Sequence, residues 1–252
     1  MPITDAWFYA AAIPAIVILG ISKGGFAPGV GVVAVPLLAT SVPPLQAAGI
    51  LLPILMSMDV VSVWSWRREW DGRSLALLLP TGLVGICLGW MAARLVDDHA
   101  LRLGIGLISL AFVASRVIMP EVREARRPPR ALGAVAGVVS GFTSFLANAG
   151  GPPVQMYLMP QRLTRQVFTG TSAILFAAIN ASKVGPFLQL GQLDLRNLAT
   201  SAMLLPLAVL STVFGVWLVR RVDDGPFYRL VLVGLSAVGI ALVWLGVAGM
   251  IG

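Results

Sequence analysis

Uncharged apolar runs of about 20 residues, the length that crosses a bilayer core, recur along the whole chain between short interruptions rich in arginine and proline. Ala6 to Ser22 is the first, with Trp7 and Tyr9 where an interfacial aromatic belt would hold its outer end. No charge occurs between Gly24 and Met58, but Pro36, Pro43 and Pro44 divide that stretch. A first crossing is therefore predicted to end near Ala39, and a second to run from Pro44 to the Trp64, Trp66, Arg67, Arg68 and Trp70 cluster. Leu75 to Ala93 and Ala100 to Met119 follow, then Ala131 to Gln161, a run from Arg165 toward Leu190, Leu195 to Val219, and Pro226 to about Met250. Strand alternation is absent, which excludes a β-barrel. The pattern predicts an all-α integral membrane protein of eight transmembrane helices.

Two of the predicted crossings are interrupted in corresponding places, at Ser22 to Gly31 and at Asn148 to Pro153, where glycine and proline make continuous helix improbable. Three further matches recur in the same order. Asp71-Gly72-Arg73-Ser74 resembles Asp194-Leu195-Arg196-Asn197, Arg94 to Asp98 resembles Arg220 to Asp224, and Leu101-Arg102-Leu103 resembles Tyr228-Arg229-Leu230. The chain thus divides into a four-helix repeat at 1–119, a basic linker at 120–130 and a second repeat at 131–252. An even number of crossings per repeat would make the halves parallel, whereas a re-entrant hairpin at one break would change the count and invert them, and the sequence leaves both arrangements open. The dense arginines of the linker favour a cytoplasmic linker and N-terminus in the inner (plasma) membrane.

Composition narrows the function. The chain is 58% hydrophobic with a formal charge of +7, and of its 18 cations only Lys23 and Lys183 are lysines. The arginines stand at the ends of apolar runs as topology signals, so nucleic acid is not an expected partner. A single cysteine, Cys87, and a single histidine, His99, leave no thiolate or histidine metal set, and no cofactor is implied. No Ser/His or paired-Asp arrangement stands in facing segments, so no enzyme is predicted.

Both lysines fall inside predicted membrane segments, where an ammonium is costly and marks a substrate pathway or a paired site. Lys183 lies three residues after Asn180 and shares its helix face. Two lysines and inward-facing helix N-termini would suit a small anion. The candidate substrate-binding set is Ser22, Lys23, Gly24, Gly25, Gly29, Gly31, Asn148, Gly150, Gly151, Gln155, Asn180 and Lys183. Asp59, a carboxylate within an apolar run, is the candidate for ion coupling. The plainer readings are snorkelling lysines, a salt-bridged or wet Asp59, and glycines that only let helices approach, as expected of Gly133, Gly137 and Gly141 or Gly85 and Gly89.

Ile21-Ser22-Lys23-Gly24-Gly25-Phe26, Val35-Pro36-Leu37-Leu38, Gly150-Gly151-Pro152-Pro153-Val154 with Tyr157-Leu158, and Asn180 with Lys183 together resemble the TauE/SafE sulfite exporter family of membrane permeases. The resemblance implies transport of sulfite, sulfoacetate or other organosulfonates coupled to an ion gradient. The chain departs from the family's Gly-Gly-Gly runs at both breaks. The expectation is a proton-coupled secondary transporter of a small anion. A passive anion channel and a receptor or assembly subunit stand as alternatives, and the sequence leaves a homodimer open.

Overall fold

The computed structural model describes residues 2–26, 30–118, 127–219, 221 and 225–251. Gly29 of the candidate site and most of the basic linker lie outside the described residues. The described chain forms ten α-helices and no strand: α1 (Ala6–Lys23), α2 (Ala34–Ala39), α3 (Pro44–Trp66), α4 (Gly72–Leu95), α5 (Asp98–Ile118), α6 (Arg130–Ala147), α7 (Gly151–Leu158), α8 (Arg165–Gln189), α9 (Leu195–Val219) and α10 (Gly225–Ile251). Short 3-10 turns precede α2 at Val30–Val33 and follow α7 at Met159–Gln161. Six of these helices, α1, α3, α4, α6, α8 and α9, are long and apolar enough to cross a membrane. α5 and α10 have spanning length, but α5 carries Asp98, His99, Arg102 and Arg116, and the apolar stretch described in α10 is the shorter Gly239–Met250.

Local chemistry sets the helix ends. Asp5 caps α1 by accepting from the Trp7 amide at 2.9 Å, and Thr164 caps α8 by accepting from Val167 at 3.3 Å. The aspartates of the repeated tetrapeptides do the same work: Asp71 accepts from the Ser74 amide at 3.0 Å and Asp194 from the Asn197 amide at 2.7 Å. α3 and α6 start directly after Pro43 and Pro129, which supply a fixed φ and need no donor.

The helix directions follow from the contacts. Ile3 donates to Thr200, Gly20 lies on Ser211 and Thr212, and Gly24 on Val216, so α1 and α9 run side by side in one direction. α4 and α6 form a second parallel pair, with Gly82 near Gly137 and Gly89 against Phe145. A methyl at Gly85 would stand 2.0 Å from the Val138 carbonyl oxygen, and one at Gly141 2.0 Å from that of Gly82. These glycines therefore serve close helix approach, as their spacing suggested. α3 and α8 cross antiparallel, with Gly170 on the Trp66 and Glu69 carbonyls at one end and Gly49 on Gln192 at the other. α5 and α10 are also antiparallel, pairing His99 with Gly249 and Gly106 with Gly239.

The two breaks are hairpins. Gly31 donates back to Ser22 Oγ at 3.2 Å, so the chain after α1 turns and retraces it toward Pro43. After α6, Ser140 donates to the Gly150 carbonyl and Thr143 to that of Ala149, and α7 returns until Gln161 reaches Ser74 at the start of α4. Each return adds a pass, so the pairs α1/α6, α3/α8, α4/α9 and α5/α10 run in opposite directions. Of the two arrangements the sequence leaves open, these directions correspond to the inverted one. It also places Ile3 and Arg130 at opposite ends of the bundle. At the end holding Trp66 and Arg130, here called the distal end, stand Arg67, Arg68, Arg73, Arg127, Arg130, Arg162, Arg165 and Arg221; the proximal end has Arg94, Arg102 and Arg196. The arginine bias, slight on the expected topology, is strong on the observed one.

Candidate functional site

α1 and α6 enter from opposite ends, and the side chains at their C-terminal ends, Lys23 and Asn148, reach toward the crossing of α3 and α8. Asp59 and Asn180 each stand fifteen residues past the first residue of their helix and meet at that crossing. Asp59, 4% exposed, accepts from Lys23 of α1 in an ion pair and from Asn180 Nδ2 at 2.6 Å. Lys23 also lies over the Phe176 ring, 5.4 Å from its centroid. It therefore faces inward rather than snorkelling to headgroups.

Lys183 is 1% exposed and directs its ammonium at three oxygens: the Ser144 carbonyl at 2.7 Å, Asn148 Oδ1 at 2.9 Å and Asn180 Oδ1 at 3.1 Å. All its donors are spent within the protein. By accepting nothing and claiming both amide oxygens, Lys183 fixes the orientation of the two asparagines, because a flipped amide would aim NH2 at an ammonium. The Asn180 amide nitrogen is turned onto Asp59. That of Asn148, held in a left-handed cap conformation at φ 49°, is buried and has no partner.

Beside this cluster lies a cavity of about 100 Å³, room for one small ligand. Of the expected residues, Ser22, Lys23, Gly25, Gly31, Asn148, Gly151, Gln155 and Asn180 line it. Lys183 does not; it acts from behind the asparagines. Gly24 and Gly150 are packing glycines, tight against Val216 and the Ser140 carbonyl. Asp59 stands behind Lys23 and Asn180. Ser144, Phe168, Thr169, Ser172 and Phe176, which also line the cavity, carry no sequence signal that sets them apart. Thr169, 5% exposed, keeps its hydroxyl buried and unpartnered.

The donors expected from the broken backbone are mostly absent. The Gly24, Gly25, Phe26 and Gly31 amides are bonded within the first hairpin, and those of Asn148 and Ala149 within the second. In the first turn of α7, Pro152 and Pro153 have no N–H to offer. Side chains supply the donors instead.

A model of the sulfite exporter TauE/SafE family matches residues 12–242. The chain belongs to the TauE/SafE family. Neither the curated proteins nor the solved structures compared with it contain a match. With six helices of spanning length and composition, this TauE/SafE chain is a membrane transporter of the sulfite-exporter type.

Proposed function

We propose that this TauE/SafE chain carries small oxyanions, sulfite and organosulfonates among them, across the inner (plasma) membrane by alternating access coupled to protons. The observation that carries the reading is the polarity of the cavity. Its charged lining residue among those described is Lys23, and its unpartnered polar groups, Asn148 Nδ2 and the Thr169 hydroxyl, are able to donate. Donors converging with an ammonium in a water-poor site suit an oxyanion and repel a cation. The apolar remainder, including Leu19, Leu55, Phe168 and Phe176, suits a short organic substituent.

Segments that correspond in sequence and run in opposite directions support two inverted repeats, residues 1–119 and 131–252, with the 120–130 linker between them in sequence. The cavity breaks their symmetry. Thr169 and Ser172 of α8 line it, whereas Ala48 and Leu51, at the same positions of α3, do not. An alternating carrier requires such an open and a closed side. The arginine-rich distal end is assigned to the cytoplasm, and Asp59, released when Lys23 turns to the anion, is assigned the coupling proton.

Proteoliposomes test this reading. Sulfite or sulfate, each able to enter as a dianion together with a proton, is expected to accumulate against its own gradient when a proton gradient is imposed, and Lys23→Met to abolish the accumulation. Flux that only equilibrates and ignores the proton gradient would favour a passive channel.

A further inference from the structure

We infer that the site takes up one net negative charge: a singly charged anion enters as it is, and a doubly charged anion enters only with a proton on Asp59. The inference rests on the anion reading above and adds a rule about charge.

The rule follows from a count of the charges gathered at the crossing. Lys183 faces three oxygens and no donor. Only an ammonium has three N–H groups to give, because a neutral amine would turn its lone pair on one of those oxygens. Lys23 and Asp59 form an ion pair. Asp59 and Lys183 are the buried charged residues among those described. The charged groups facing Asp59 are Lys23 from α1 and Lys183 from α8; α2, α5, α6 and α9, which also pack on α3, place no charged side chain against it among the described residues. Two ammonium groups and one carboxylate leave a single positive charge.

A buried charge in a low-dielectric site is costly unless it is matched. A monoanion neutralises the cluster. A dianion would reverse its sign and leave one buried negative charge unmatched. Protonation of Asp59 raises the cluster by one unit and restores the balance, so uptake of a dianion is linked to uptake of one proton. Asn180 keeps its amide on Asp59 in either state, since the NH2 group donates to a carboxylate or to the carbonyl oxygen of the neutral acid.

Methanesulfonate and sulfate are the probes, one a monoanion and one a dianion across the working range. Their affinities are measured on the purified full-length protein at constant ionic strength, from pH 6 to pH 8, by the rise of melting temperature with ligand concentration. In the natural protein methanesulfonate is expected to bind at least about tenfold more tightly than sulfate at pH 8, and sulfate alone to gain up to about tenfold per pH unit on acidification. In Asp59→Asn, which fixes the cluster at two positive charges, the ratio should move toward sulfate by about tenfold or more, and sulfate should lose its pH dependence. The methyl contact is the same in both proteins, so the change in ratio reads charge alone. Equal affinities at pH 8 with no pH dependence would overturn the rule, as would an Asp59→Asn protein that keeps the natural ratio. Should Asp59→Asn fail to fold, the pH series on the natural protein decides by itself. If neither anion binds, the anion reading falls and the charge rule with it, an outcome distinct from two anions that bind alike.

Discussion

At the scale of the residue, Thr169 separates stability from function. Its hydroxyl is buried without a partner, so the folded protein carries a desolvated polar group that it does not use. Replacing it by an isosteric methyl in Thr169→Val removes that group and should leave the melting temperature unchanged or raised. If the hydroxyl donates to the anion, the same change should weaken binding by about tenfold, the worth of roughly 1.4 kcal/mol for a charge-assisted hydrogen bond. A parallel melting and binding titration checks both halves. Lys183→Met should behave oppositely: it strands two amide oxygens and leaves the Ser144 carbonyl with the Asn148 amide as its remaining donor, so the melting temperature should fall even without ligand. The sequence singled out Lys23, Asp59, Asn180 and Lys183 because charge and amide are rare in apolar runs. It did not single out Thr169, because threonine is common on apolar helices, and only packing shows whether its hydroxyl bonds the preceding turn or points at a cavity.

At the scale of the element, the α4/α6 pair has no tolerance for side-chain volume. In Gly85→Val the new Cβ alone would lie 2.0 Å from the Val138 carbonyl, and the helices must separate, an overpacking cost of about 3 kcal/mol or more. Gly104 and Gly185 have no heavy atom within 4 Å of the position their Cβ would take. Gly104→Ala and Gly185→Ala should therefore hold or raise stability, by up to about 1 kcal/mol of helix propensity. Melting temperatures of the three variants in one detergent test the contrast. The cap of α4 adds a pH signature. Partial burial works to raise the Asp71 carboxyl, but hydrogen bonds from the Ser74 side chain and backbone, with Arg127 and Arg73 nearby, hold it below its usual range. A depressed folded value means that the ionised cap stabilises above the unfolded value and that this contribution is lost as pH falls through the folded one. Asp71→Ala should cost about 1 kcal/mol at neutral pH, and its difference from the natural protein should shrink below about pH 4. The starts of α3 at Pro44 and of α9 at Leu195 were legible because the proline and polar residues that delimit an apolar run act locally. The returns of α2 and α7 were not. A break in a sequence shows that a helix stops, whereas the path of the chain afterwards depends on long-range bonds such as Gln161 to Ser74.

At the scale of the whole molecule, those two hairpins change the parity of the topology. They turn corresponding segments around and gather eight described arginines at the distal end. The expected orientation is therefore a cytoplasmic Arg127 and an external Asp97, the reverse of what the unbroken count gave for the N-terminal segment. With Cys87 replaced by serine, Asp97→Cys should react with a membrane-impermeant maleimide on intact cells, and Arg127→Cys only after permeabilisation. The reverse pattern would move the open side of the cavity to the outside. The all-helical, repeatedly apolar character of the chain and its two glycine- and proline-rich breaks were readable from the sequence, whereas six helices, against the eight crossings expected, are long and apolar enough to span a membrane. The direction of each run was not readable, since direction resides in which ends touch.

The central claim is that the group of donors around Lys23 holds an anion, and a matched pair of probes tests it most directly. Methanesulfonate and dimethyl sulfone share a tetrahedral sulfur and differ mainly in charge. Titrated against the purified natural protein, methanesulfonate should raise the melting temperature in a saturable manner and lose that effect in Lys23→Met, while dimethyl sulfone should leave it unmoved. Stabilisation by the neutral sulfone equal to that by the anion, or an undiminished anion effect in Lys23→Met, would contradict the account.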